Sequence, residues 1–265
     1  MRAAPRGRIT VAVVRWFCSM KIDVLTLFPA MFAGPLDESI VKRARAEGLL
    51  DLAVHNLRDY AHDRHRTVDD KPFGGGPGML LKPEPIFEAV EKLSREKTRL
   101  ILLTPAGRKF NHAIARELAR QEHLLLVCGS YEGFDERVRE ALANDELSIG
   151  DYVLTNGALP AMVIIDAVTR LLPGALGDDL SSHDESFSCG LLEYPQYTRP
   201  QLWEGRSIPA VLASGDHAKV EAWRRAEAER LTRARRPDLW AARVAAADKR
   251  EKPPTQRSKK PRRDG

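Results

Sequence analysis

Long apolar runs are missing from this chain of 265 residues. No stretch approaches the roughly 20 residues that a bilayer-spanning helix needs, so no membrane-spanning helix is expected. Cysteine is scarce: Cys18, Cys128 and Cys189 are the three present. None forms a Cys-x-x-Cys pair, so neither a paired-cysteine zinc site nor a disulfide framework is indicated, which fits a reducing cytoplasm, the expected location. The glycine run Gly74-Gly75-Gly76-Pro77-Gly78 lacks the Gly-Lys-Ser/Thr ending of a phosphate-binding loop. Without that ending and an Asp–Mg²⁺ pattern, a nucleotide hydrolase is disfavoured. No internal repeat is present.

What is present is an ordinary globular composition, 43% hydrophobic and 30% charged, with the charge unevenly placed. Residues 1–19 carry four arginines and no acid, and the last twenty residues hold eight basic and three acidic side chains. The net charge of +5 therefore comes from the ends, and the body between them is slightly acidic. Attraction to a polyanion must rest on local patches and the tail. Met20 reads as the initiator of the folded part, with 1–19 an extension outside the fold and 246–265 a disordered basic tail.

Between these ends, apolar runs alternate with amphipathic ones. Strands are expected at Lys21–Phe28, Leu49–Asn56, Arg99–Leu103, Leu124–Val127 and Glu146–Leu154. The Arg99 strand should end at Thr104-Pro105. Helices are expected over Pro35–Glu47, Pro83–Arg95, from an Asn111 cap to Arg120, Asp135–Ala143 and Leu159–Leu172. This alternation predicts an α/β domain with a mainly parallel sheet over 20–176. Tyr60–Met79 reads as a long polar, glycine-rich loop. Residues 177–190 read as a linker. Residues 191–245 form a smaller helical domain, whose basic helix His217–Arg243 is broken once by Pro237 and has Glu221 placed to pair with Arg225.

Three segments carry chemistry. The strand exits at Gly129 and Gly150 are surrounded by Ser130, Tyr131, Glu132, Asp151 and Tyr152. Ligands of α/β proteins sit at such carboxyl-terminal exits, and these loops offer an apolar slot, backbone hydrogen bonds and acids for ribose hydroxyls. The run His62-Asp63-Arg64-His65-Arg66-Thr67-Val68-Asp69-Asp70 packs arginine donors suited to phosphate or a guanine edge. Its two histidines have no third metal ligand of known placement, and the arginines oppose a cation. Glu185 and Arg170 form a candidate pair, a carboxylate to take a proton and an arginine to hold charge on a carbonyl oxygen.

Taken in order, several motifs resemble one family. They are His62 to Asp70, Pro72-Phe73-Gly74-Gly75-Gly76-Pro77-Gly78-Met79, Tyr131-Glu132-Gly133-Phe134-Asp135-Glu136-Arg137, Ser148-Ile149-Gly150-Asp151-Tyr152-Val153-Leu154, Leu159-Pro160-Ala161-Met162 and Tyr197-Thr198-Arg199-Pro200. Together they are similar to the bacterial tRNA (guanine-37, N1)-methyltransferases, the TrmD type of the SPOUT superfamily, from Met20 to about Trp240. The resemblance implies an α/β domain with a deep trefoil knot, a rare exception to ordinary topology. It also implies a small C-terminal helical domain that grips the tRNA anticodon stem–loop, and a homodimer with shared active sites. S-adenosyl-L-methionine would contact Thr104, Gly129, Tyr131, Glu132, Ile149, Gly150, Asp151, Tyr152, Val153, Leu154 and Gly157. RNA would meet Arg64, His65, Arg66, Asp69, Arg199, Arg224 and Arg225. Arg170 matches the family arginine that stabilises charge on guanine O6. Glu185, with Asp184 just upstream, stands where the family's base is usually aspartate. Magnesium is admitted by the resemblance but not called for by the residues. Ser130, Asn156 and Ala158 depart from the residues common at those positions. The rival readings are a knotted methyltransferase acting on another RNA and a non-catalytic RNA-binding protein of the same fold. Retention of both the carboxylate and the arginine argues against the second.

Overall fold

The structure is a computed structural model that describes residues 19–176 and 185–251, the side chains of 248–251 excepted. The chain divides into two compact units, Met1–Asp179 and Leu180–Gly265.

The first unit is built on five parallel strands: β1 (Met20–Thr26), β2 (Leu50–Asn56), β5 (Thr98–Lys109), β6 (His123–Cys128) and β7 (Asp145–Ser148), in the spatial order β2-β1-β6-β5-β7. All six residues of β6 are buried, as expected for a central parallel strand covered on both faces. Alternation along β1 sends Ile22 and Val24 to one core and Leu25 to another. The first core is closed by α1 (Ser39–Ala46), α3 (His112–Leu118) and α5 (Ala158–Thr169), which bring Val41, Ile114, Ile164 and Ile165 onto the sheet. The second is closed by α2 (Pro83–Leu93) and α4 (Glu136–Leu142) through Ile86, Val90 and Val138. Each such aliphatic side chain contributes about 2 kcal/mol by leaving water. Two helix starts follow the expected caps: Asn111 Oδ1 accepts from the Ile114 N–H at 3.1 Å and Asp135 Oδ1 from the Arg137 N–H at 3.0 Å.

Four expectations are corrected. Strand β5 does not stop at Pro105 but continues to Lys109, because a bulge between Leu103 and Arg108 lets the chain leave the ladder and rejoin it opposite Leu147 and Ser148. Strand β7 ends at Ser148, and 149–154 is a loop. The expected loop 60–79 is interrupted by a strand, β3 (Asp69–Asp70), which pairs as a small hairpin with β4 (Leu80–Leu81) just beyond it. The basic helix breaks at Pro237 as expected, giving α6 (His217–Arg235) and α7 (Pro237–Glu251), with Pro237 opening the second where its missing N–H costs nothing, but the second helix continues past Arg243 to Glu251. Helix α7 therefore runs several residues into the segment expected to be disordered.

One buried polar network lies in the sheet. Asp23 and His123 are almost fully buried, and His55 is partly so. The Asp23 carboxylate accepts from His55 Nε2 at 2.8 Å and His123 Nε2 at 2.9 Å, with Lys21 Nζ at 3.4 Å. The remaining His123 nitrogen meets the Thr98 hydroxyl at 2.6 Å, which also accepts from the Arg95 N–H. Burial would raise the Asp23 carboxyl, but the His55 hydrogen bond, Lys21 and His123 hold it below its ordinary value. Burial pushes His123 down, with Asp23 offsetting part of the effect. A neutral His123 fits the geometry, donating to Asp23 and accepting from Thr98.

In the second unit, β8 (Leu202–Trp203) and β9 (Arg206–Ser207) make a short hairpin and α6 packs on α7. Thr232 of α6 accepts the Leu192 N–H at 2.8 Å, tying the proline-rich segment to the helix.

Candidate functional site

A cavity of about 180 Å³ opens at the carboxyl ends of β5, β6 and β7 in the first unit. Its walls come from three exits: Thr104-Pro105 at the β5 bulge, Gly129 to Phe134 after β6, and Ser148 to Gly157 after β7. Thr104, Gly129, Tyr131, Glu132, Ile149, Gly150, Tyr152, Val153, Leu154 and Gly157 all line it. Asp151 does not: its exposed carboxylate pairs with Lys109 at 2.7 Å.

The exits are locked to each other. The Gly157 N–H donates to the Gly129 carbonyl at 2.7 Å, and Ser130 bridges Asn156. At Gly157 an added Cβ would lie 2.7 Å from Cys128 Cα and 2.9 Å from Gly129 N, so only glycine allows this approach. Cys128, at the end of β6, is fully buried there, and burial pushes its thiol up to about 12. Tyr131 holds a left-handed backbone at φ 57°, a conformation that non-glycine residues adopt mainly where surrounding structure imposes it.

The cavity suits an adenosine-type ligand. Leu103, Leu147, Ile149, Leu154 and Pro160 give an apolar slot. Residues 149–154 lie outside every strand, so no sheet ladder consumes their backbone groups. Ser130 is 4% exposed and its hydroxyl has no hydrogen-bond partner among the described residues. A buried hydroxyl without a partner costs about 1–3 kcal/mol, which a polar ligand atom would recover. Nothing in the sequence marked Ser130 for this, because its lack of a partner follows from how β6 turns after Gly129. Among the described residues no group of three His, Cys, Asp or Glu side chains is placed to hold a metal.

The glycine run is joined to the cavity wall. Glu132 N–H donates to the Met79 carbonyl at 3.0 Å, Leu81 N–H to Gly133 at 2.9 Å and Asp135 N–H to Leu81 at 3.1 Å. A Cβ on Gly78 would fall within the Glu132 side chain.

The polar loop before the hairpin is ordered by Asp63, whose carboxylate accepts from the Thr67 N–H at 2.7 Å and the His65 N–H at 3.0 Å. These hydrogen bonds, Thr67 first, hold its carboxyl below the usual range. Arg66 pairs with Asp59 at 3.1 Å and His62 with Glu88 at 2.7 Å. Arg64 and His65 are exposed, and Asp69 lies in β3 opposite Leu81.

Arg170 caps the end of α5, its N–H donating to Asp166 at 3.2 Å. Glu185 belongs to the second unit, so the two candidate catalytic groups stand on different units. Asp184 lies outside the described residues. Glu185 begins a tight turn in which the Ser188 hydroxyl donates to its carbonyl at 2.7 Å and the Phe187 N–H to Leu191 at 2.7 Å. It lines a shallow groove with Tyr194, Glu221, Arg224 and Arg225. Arg224 stacks over Tyr194 at 4.8 Å. Arg225 pairs forward with Glu229 at 3.5 Å, not back to Glu221 as expected, leaving Glu221 on the groove wall. Arg199 is exposed in the same unit.

No helix among the described residues is long and apolar enough to cross a membrane. The family model for tRNA (Guanine-1)-methyltransferase TrmD matches residues 20–242. A Dehalococcoides mccartyi protein named tRNA (guanine-N(1)-)-methyltransferase is 61% identical over 224 residues, covering 83% of this chain and 90% of its own. Proteins with the same name from Dictyoglomus turgidum and Geotalea uraniireducens are 56% and 54% identical, over 83% and 87% of this chain and 89% and 94% of theirs.

Proposed function

The chain belongs to the tRNA (Guanine-1)-methyltransferase TrmD family, and from that premise we propose that it methylates N1 of guanosine 37, beside the anticodon of tRNA, with S-adenosyl-L-methionine as donor. The observation that carries the reading is the cavity at the β5, β6 and β7 exits, with its apolar slot and the unpartnered Ser130 hydroxyl on one wall. When bound, the donor supplies a methyl group already activated by a sulfonium.

The protein's tasks are then to hold the base and move a proton. Glu185 takes the proton from guanine N1, freeing the nitrogen lone pair. Arg170 stabilises the negative charge that deprotonation places on O6. Asp184, one residue before Glu185, is the alternative base. Leu103, Ile149 and Pro160 exclude water around the reacting centre.

The finer architecture belongs to the same proposal. Close passage of Gly157 against Cys128 and Gly129 supports a trefoil knot in which the last loop threads through the others. Leu159 and Val163, one turn apart and exposed on α5, support a homodimer that covers them and shares its active sites. The proposed organisation is a donor-binding domain over 20–176, a connecting segment over 177–190 and a helical tRNA-binding domain over 191–245. In the last, Arg199, Arg224 and Arg225 meet the anticodon stem–loop, while Arg64, His65, Arg66 and Asp69 meet it from the first unit. No magnesium site is assigned.

The test is methyl transfer from labelled S-adenosyl-L-methionine to an unmodified tRNA transcript, with guanosine or another base at position 37. Transfer confined to the guanosine transcript is expected. Equal transfer to both would overturn the target, and transfer to neither the whole reading.

A further inference from the structure

Phe73 is the most exposed large apolar side chain among the described residues, wholly in water at the tip of the β3–β4 hairpin. Hairpin tips are ordinarily polar, and an aromatic ring left in water forgoes the burial that drives folding. The three residues that follow it, Gly74, Gly75 and Gly76, all have positive φ, and an added Cβ at any of them would meet nothing. The tip is thus uncrowded while its base is fixed. Met79 and Leu81 are bonded to Glu132, Gly133 and Asp135, and Gly78 packs against Glu132 on the cavity wall. Phe73 therefore stands on a short arm rooted in the wall of the ligand cavity. An exposed cation stands at the start of the arm: Lys71, two residues before Phe73, has no ion pair among the described residues.

We propose that Phe73 stacks on the target guanine once that base has left its neighbours in the anticodon loop. The inference rests on the functional reading above. N1 lies on the Watson–Crick edge, and a donor held in a cavity reaches it only if the base is unstacked, which costs a few kcal/mol of lost stacking. Proteins that hold unstacked bases replace the lost neighbour with an aromatic face, and cations nearby take the phosphates. Phe73 supplies the face, with no donor or acceptor to compete for the edge being methylated. It acts as a positioning residue, and the glycines let the ring settle on the base.

The experiment compares wild type with Phe73→Tyr, Phe73→Leu and Phe73→Ala. Tyrosine should keep kcat/KM for tRNA within about 2-fold, while leucine and alanine should lose about 10- to 100-fold. Calorimetric affinity for S-adenosyl-L-methionine should stay unchanged. A second readout places 2-aminopurine at the target position of the tRNA. Its fluorescence should be quenched by wild type and Phe73→Tyr and not by Phe73→Ala. Wild-type rates in Phe73→Leu, or equal quenching by Phe73→Ala, would overturn the stacking role. So would sedimentation showing that Phe73→Ala dissociates a dimer formed by the wild type, since the ring would then be covered by a second copy. Absence of methyl transfer by the wild type overturns the functional reading alone, and the quenching comparison still decides Phe73.

Discussion

Substituting Gly157 by alanine isolates the packing of the cavity floor from every other property of the residue. Gly157 sits at φ −80° and ψ 1°, which alanine adopts without strain. Loss of backbone freedom in the unfolded chain would by itself stabilise the variant by about 0.4–1 kcal/mol. Against this, the new Cβ would lie 2.7 Å from Cys128 Cα and 2.9 Å from Gly129 N, atoms of a buried backbone held on both sides. Overpacking of this kind costs about 1–3 kcal/mol. At the midpoints of these ranges the net loss is about 1.3 kcal/mol, a fall in Tm of about 3–5 °C for a unit of this size. The shift also strains the Gly157 N–H bond to Gly129, so affinity for S-adenosyl-L-methionine should fall about tenfold, as 1.4 kcal/mol dictates. Gly150→Ala is the control for stability, because its Cβ would meet the ring of Tyr152, which is 55% exposed and free to swing. Circular dichroism melting and calorimetry read both quantities. A Gly157→Ala protein that melts within about 1 °C of wild type and binds the donor equally would refute the reasoning.

Glu185→Gln should abolish methyl transfer while leaving calorimetric donor affinity nearly intact; full activity there, with loss in Asp184→Asn, would move the base to Asp184. Ser130→Ala should weaken donor binding by about 3- to 10-fold, the worth of one hydrogen bond, and an unchanged dissociation constant would take the hydroxyl out of the contact. Because burial lowers the His123 pKa, the unfolded chain binds the extra proton first. Stability is therefore complete above about pH 6.5 and falls as the pH drops below it. Asp23, held below its ordinary value, adds a loss only near and below pH 4. Melting between pH 7.5 and 5 should show the first effect and His123→Gln should flatten it; a variant with the wild-type slope would assign the effect elsewhere.

The strand–helix alternation was readable because central parallel strands such as Leu124–Val127 are apolar throughout, and caps such as Asn111 and Asp135 have a local cause. The passage of β5 beyond Pro105 was not readable. Proline signals an end to the ladder, and only a bulge that depends on the distant Leu147 lets the strand resume. The cavity's position followed from glycines at strand exits. The state of its side chains did not: Asp151 turns to Lys109 and the Ser130 hydroxyl is left without a partner, both outcomes of loop geometry. Likewise Arg225 had acids at both i−4 and i+4, and sequence could not choose between Glu221 and Glu229. A knot is implied by the family resemblance alone, since periodicity carries no information about threading.

Cys128 gives the molecule an internal reporter. A thiol with a pKa near 12 is almost entirely protonated at neutral pH, and its neighbours shield it from alkylating reagents. Cys189, exposed in the second unit, has no such protection. Modification of Cys128 must therefore wait until the floor beneath Gly129 and Gly157 opens. Its labelling rate measures how often the cavity comes apart, and a ligand seated on that floor should slow the rate in proportion to its occupancy.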